Sequence, residues 1–287
     1  SAGSTHRGCH CGGGIPNLNS GSNKSCNAYF AGTFRTFYEK YPTTDEGQDV
    51  WEKHMNSFGL GNFLGYDLPT GRPGRIPGKA YYDKWYGDDR WASSYIISNS
   101  IGQGEVAATP VQLANMTAAI ANRGYYYTPH ILKKVEGEDI SIPEYVQPKY
   151  TTIDKEHFEP VIKGMADVYN KGTARWVQIP GVEIAGKTGT VENYTIIDSV
   201  RTQLTDHSVF IAFAPVNNPQ IALAVYIENG YYGSRYAGHI ASLLIEKYLK
   251  GKITRKDLEK RMLEKTLEHE YAKPYSGEEF KINEYVW

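Results

Sequence analysis

The runs Val209-Phe-Ile-Ala-Phe213 and Ile221-Ala-Leu-Ala-Val225 are apolar at every position, and the turn-rich stretch Pro215-Val-Asn-Asn-Pro-Gln220 lies between them. A strand with one face in water alternates polar and apolar residues, so unbroken runs of this length predict strands covered on both faces. The connection suits an antiparallel pair. The chain is thereby bound to a layered fold, with a sheet buried between other elements. Strands are expected over His207 to Ala214 and Ile221 to Glu228, and a further one over Val182 to Thr190.

Helices supply the covering layers. Thr109 can cap a helix that has Pro110 at its first position and Gln112 closing a capping box. Leu113, Met116 and Ile120 form its apolar stripe, and Gly124 ends it. A second helix is expected from an Asp154 cap through Phe158, Val161, Ile162, Met165 and Tyr169 to Gly172. Asn27 to about Lys40 and Tyr236 to Lys250 also read as helical, the latter stopped by Gly251. Residues 1–24, rich in Gly, Ser and Asn, and the Gly- and Pro-punctuated segment 57–95 read as loops. Helices, then strands, then a helix predict an α+β fold with a mainly antiparallel central sheet flanked by helices. Residues 1–250 make the main unit. Residues 251–287 read as a charged helical tail, with Leu258, Met262 and Leu267 on its apolar side.

Composition narrows the function classes. With 22% charged residues and a net charge of −1, the chain offers no basic footprint for nucleic acid. Nothing approaches the roughly 18 consecutive apolar residues of a membrane span, so any membrane tie would be an anchor outside these residues. Cys9-His10-Cys11 has the look of a metal-ligand cluster, but zinc needs about four ligands and no second Cys/His pair follows. Two cysteines in a Gly-rich loop, with no metal and no cofactor, is the favoured reading. The 23 tyrosines cluster, as in Tyr81-Tyr82-Asp83-Lys84-Trp85-Tyr86, which fits a wet groove and structural packing equally well.

Chemistry concentrates in two short motifs. Lys187-Thr188-Gly189-Thr190 ends a predicted strand, where a cation and two hydroxyls around a glycine can meet a carboxylate. An isolated occurrence would more often be a solvated strand edge. Ser25-Cys26-Asn27 precedes a predicted helix, where such residues commonly serve as caps. The pair gains weight from its order, because a Ser-Asn-type triplet and a Lys-Thr-Gly strand are two of the three signatures of penicillin-binding proteins and serine β-lactamases.

The resemblance extends further. Phe58-Gly-Leu-Gly61 with Asp67-Leu-Pro69, Gly102-Gln-Gly104, Thr109-Pro-Val-Gln-Leu-Ala114, Ala121-Asn-Arg-Gly124, Gly172-Thr-Ala174, Phe213-Ala-Pro215 and Ile227-Glu-Asn-Gly230 resemble, in order, landmarks of the class B penicillin-binding proteins. The form Ser25-Cys-Asn-Ala-Tyr-Phe30 resembles their elongation-type members. The resemblance implies a transpeptidase fold and a D,D-transpeptidase that cross-links peptidoglycan stem peptides in the bacterial periplasm. It implies D-Ala-D-Ala peptides and β-lactams as ligands, and a glycosyltransferase as partner. By the same likeness Ser25 would relay protons to the leaving amine, Asn27 would hold a substrate amide, and Lys187 would tune the site. Thr188, Gly189 and Thr190 would bind the substrate, with the Thr190 backbone N–H as half of an oxyanion hole.

One departure is large. The family acylates at the serine of a Ser-x-x-Lys tetrad, and no such tetrad occurs anywhere in the chain. The expectation is a transpeptidase domain cut before, or lacking, its nucleophile, so that these residues alone do not acylate. A serine β-lactamase, a D,D-carboxypeptidase and a non-catalytic scaffold of the same fold stand as rivals.

Overall fold

The computed structural model describes residues 17–271 except Tyr66, Pro69, Asp89, 93–95, Val135 and 138–141. Cys9-His10-Cys11, Pro69 of the Asp67-Leu-Pro69 landmark and the last part of the tail lie outside the described residues.

Helix α5 (Pro110–Ala121) forms as its local signals demand. The Thr109 hydroxyl accepts the Gln112 N–H, the Gln112 side chain accepts the Thr109 N–H, and Gly124 follows with φ 112. Helix α2 (Asn27–Tyr38) and helix α8 (Ala237–Lys250), the latter closed by left-handed Gly251, match the expected segments closely. Helix α7 (Phe158–Asn170) starts one short helical turn after Asp154, whose side chain makes no cap bond.

Two stretches depart from the sequence reading, and one helix forms where it placed no element. Residues expected as loop form helix α1 (Leu18–Asn23), because Asn17 and Ser20 close a capping box and Gly21 and Ser22 are buried. Helix α3 (Thr44–Ser57), capped by Thr43, precedes the segment read as loop, and helix α4 (Lys79–Tyr86) interrupts it. α2, α3, α4 and their neighbours enclose an aromatic core of their own, with Phe34, Tyr38, Trp51, Tyr82 and Trp91 buried together. Its packing overrides the glycines and prolines around it. Packing thus answers for much of the tyrosine-rich cluster at 81–86: Tyr82 is fully buried, although Trp85 and Tyr86 remain exposed.

The sheet is three antiparallel strands in the order β3 (Ala185–Ile197), β4 (Val200–Ala214) and β5 (Ile221–Ile227). The first pair runs well past the expected ends, to a two-residue turn at Asp198-Ser199. Both turn residues have positive φ, as a primed hairpin turn requires. Along β4 the side chains alternate between two cores. Phe210, Ala212 and Ala214 pack with Ala237, Ala241 and Ile245 of α8, while Ile211 and Phe213 pack with Ala121, Ile162 and Met165 of α5 and α7. Both faces of the central strand are therefore covered, as the apolar runs predict. A two-residue pair, β1 (Tyr125–Tyr126) with β2 (Lys149–Tyr150), and the short helix α6 (Pro143–Val146) lie between α5 and α7. Helix α9 (Lys256–Glu264) and the short α10 (Glu268–Tyr271) follow α8.

Candidate active site

Lys187 sits in β3 opposite Ile211 of β4, and Gly189 sits opposite Val209. Gly186 is required by close packing, since a Cβ there would come within 2.9 Å of the Ile211 carbonyl and of the Phe210 ring. Among the described residues no strand pairs with the other edge of β3.

Ser25 reaches this strand through the turn between α1 and α2. It takes a left-handed backbone (φ 52) that a non-glycine residue adopts at a cost of about 1–2 kcal/mol. Bonds from Ser25 N–H to the Ser22 carbonyl and from Cys26 N–H to the Gly21 carbonyl fix that turn. Cys26 behind it is buried and caps nothing through its side chain. The result is a long-range contact: the Lys187 ammonium donates to Ser25 Oγ at 2.7 Å and to its neighbour's carbonyl, Thr188 O, at 2.8 Å. Burial pushes the ammonium down to about 8.

The threonines of the strand are held from three directions. Thr173 Oγ1 and Thr188 Oγ1 share a hydrogen bond of 2.8 Å. The Gln103 amide donates to Thr190 O at 3.3 Å, and the Gly233 N–H donates to Thr190 Oγ1 at 3.3 Å. A Cβ on Gly172 would lie 2.6 Å from the Asn23 carbonyl, so the turn before Thr173 is seated against the end of α1. Asn27 opens α2, half-buried, and among the described residues its side chain makes no hydrogen bond to Lys187 or Ser25.

Five of the six residues singled out in the sequence thus converge on one strand and the turn that faces it, while among the described residues the Asn27 side chain bonds to neither Lys187 nor Ser25. Three positions were not singled out. Thr173 and Gln103 lie inside landmarks read from the sequence, Gly172-Thr-Ala174 and Gly102-Gln-Gly104, which could have flagged them. Gly233 carries no such signal. Chemically, the strand offers a cation with a lowered proton affinity, a serine hydroxyl bonded to it, two threonine hydroxyls and an edge that no other described strand pairs, a set suited to a carboxylate and to proton transfer.

The chain is similar over 235 residues, 33% identical, to the peptidoglycan D,D-transpeptidase MrdA of Acinetobacter baumannii, covering 78% of this chain and 33% of that protein. The chain therefore spans about a third of the length of this curated relative. Among solved structures, the Pseudomonas aeruginosa PBP2 in complex with WCK 5153 matches 85% of this chain and 52% of its own, with 31% identity and a TM-score of 0.69. The imipenem acyl-enzyme complex of penicillin-binding protein A from M. tuberculosis matches 83% of this chain and 49% of its own, with 26% identity and a TM-score of 0.61. The family model described as the penicillin binding protein transpeptidase domain matches residues 4–246, and the chain belongs to that family, on its PBP2/MrdA branch of class B proteins.

Proposed function

We propose that residues 1–250 carry the Lys-Thr-Gly wall of a D,D-transpeptidase that cross-links peptidoglycan stem peptides, with 251–287 as its tail. In this reading Ser25, Asn27 and Lys187 act in catalysis, and Thr188, Gly189 and Thr190 bind the terminal carboxylate and backbone of a D-Ala-D-Ala peptide or a β-lactam. The observation that carries it is the 2.7 Å contact between Lys187 Nζ and Ser25 Oγ. In the reaction a serine oxygen bonds to the carbonyl carbon of the penultimate D-alanine, the amide C–N bond breaks, and the departing amine takes up a proton. Ser25 gives that proton from its hydroxyl and recovers one from the Lys187 ammonium, which is recharged by the proton that the acylating serine gives up. The acyl group then passes to an acceptor amine. The acylating serine of a Ser-x-x-Lys tetrad is not among these residues. A periplasmic setting and a glycosyltransferase partner follow from the family resemblance. Among the described residues no helix is long and apolar enough to cross a membrane.

The test joins two measurements on this chain: intact mass after incubation with benzylpenicillin, and ligand-observed NMR with an N-acyl-D-Ala-D-Ala dipeptide. The mass is expected to stay near 32.2 kDa, and the dipeptide to bind weakly in wild type and not in Lys187→Ala. A stable penicillin adduct would overturn the expectation that these residues alone do not acylate. Absence of dipeptide binding, or binding indifferent to Lys187, would overturn the assignment of the site.

A further inference from the structure

A buried carboxylate bonded to the loop that touches Thr190 lies beyond the part of the chain matched by the family model, which ends at residue 246. Glu270 in α10 is a fully buried carboxylate. Its Oε2 accepts from Thr205 Oγ1 at 2.6 Å, and its Oε1 accepts from the Tyr231 hydroxyl and lies 2.8 Å from His269 Nε2. A buried carboxylate is costly unless it is bonded in this way, so the bonds fix where the C-terminal segment can sit.

Both hydroxyl partners belong to the site's surroundings. Thr205, 1% exposed, lies in β4. Tyr231 lies in the loop between β5 and α8, with a left-handed backbone (φ 65) that a bulky side chain avoids. Its N–H donates to the Asp206 carbonyl at 2.9 Å, and the Arg235 guanidinium covers its ring 4.2 Å from the centroid. Two residues further on, Gly233 donates to Thr190 Oγ1 and lies so near the strand that a Cβ there would come 2.5 Å from Val209 O and 2.6 Å from Gly189 O. The other end of the C-terminal segment is fixed as well. Buried Glu246 accepts from Thr254 Oγ1 at 2.5 Å and from Arg255 Nε at 3.0 Å, and Arg255 Nη1 donates to Gln178 O. Residues 254–270 therefore form a strap pinned at both ends.

We propose that Glu270 is a positioning residue of the active site: through Thr205 it ties this strap to β4, through Tyr231 to the β5–α8 loop, and so it holds Gly233 against Gly189 and Thr190. The consequence for ligand binding rests on the reading of Thr188 to Thr190 as the substrate edge, whereas the tie itself does not.

Hydrogen–deuterium exchange on the whole chain tests the tie, with N-acyl-D-Ala-D-Ala affinity measured alongside. In Glu270→Ala, peptides covering 228–236 and 186–191 are expected to exchange about tenfold faster, while α5 keeps its protection and dipeptide affinity falls about fivefold or more. Glu270→Gln is expected to restore protection to within about twofold, because its amide oxygen still accepts from Tyr231 and its NH2 can donate to the Thr205 hydroxyl. Unchanged exchange at 228–236 in Glu270→Ala would overturn the tie, and so would equal loss in α5, which marks general unfolding. A loosened loop with wild-type dipeptide affinity would overturn the positioning role. If wild type itself fails to bind the dipeptide, the reading of the site falls, and the exchange result alone decides the tie.

Discussion

The Lys187 ammonium and the Ser25 hydroxyl, 162 residues apart in sequence, meet at 2.7 Å. Burial holds the lysine at about 8, below its ordinary 10.5. A depressed lysine destabilises the fold wherever the group is charged in both states, on the order of 3 kcal/mol for a shift of this size. Between about pH 8 and 10.5 the unfolded chain binds more protons than the folded one, so stability rises with pH in that window. The urea-unfolding stability of wild type minus that of Lys187→Met is therefore expected to be flat below about pH 7 and to climb from pH 8 upward. A difference that falls or stays flat across that window contradicts the buried, shifted ammonium.

Thr173 reaches Thr188 across the site, hydroxyl to hydroxyl, at 2.8 Å. Thr173→Val keeps the shape and removes the bond, which costs about 1 kcal/mol of stability. It also frees the Thr188 hydroxyl to rotate, so dipeptide affinity should fall several-fold while Thr173→Ser, which keeps the hydroxyl, stays near wild type. Equal affinities for the Val and Ser variants would show that Thr188 needs no partner.

Gly233 has no room for a side chain. A Cβ would meet Val209 O, Gly189 O and Gly189 N at 2.5, 2.6 and 2.8 Å, all of them backbone atoms that cannot swing aside. Gly233→Ala is expected to destabilise by about 1–3 kcal/mol through overpacking and to push the β5–α8 loop off the strand. Thermal unfolding reads the first effect, and the Thr190 and Gly233 amide shifts in NMR read the second. An unaltered melting temperature would mean that the loop is not seated where the structure has it.

What could be read in the sequence was what is encoded locally. The α5 capping box involves neighbours three residues apart, Gly251 stops α8 by its own backbone freedom, and the apolar run at 209–213 declares a strand covered on both faces. α1 was missed because Leu18-Asn-Ser-Gly-Ser-Asn23 has loop composition. It is held by tertiary contacts, Asn19 to Asp167 at 2.7 Å and Ser22 against Gly164. α4 was missed because its order comes from an aromatic core assembled from three separate helices. The outer half of the β3–β4 hairpin carries Glu192, Asn193 and Thr195, which give no apolar signal, and it forms because the turn at Asp198-Ser199 continues a ladder begun in the core. At the site, Lys187 and Ser25 were each legible as motif members through the family resemblance. Their contact, the Thr173 bond and the Glu270 strap are long-range and have no local signature.

Gln112 shows how one residue serves both levels. Its Oε1 accepts the Thr109 N–H and completes the local cap, while its Nε2 donates to the carbonyls of Gly59, Asn62 and Pro73 at 3.2, 2.9 and 2.7 Å. The side chain is 1% exposed, so these bonds have no water to replace them. Gln112→Ala should cost about 2–4 kcal/mol, more than the loss of a cap alone, because buried carbonyls are left unpaired. Gln112→Glu separates the two contributions: it keeps the acceptor for Thr109 and removes the donor to the loop. The expected outcome is that Glu is at least as damaging as Ala in urea unfolding, with faster proteolysis within 59–75. A Glu variant of near wild-type stability would mean that the cap alone matters and that the 59–75 segment is held by its other contacts.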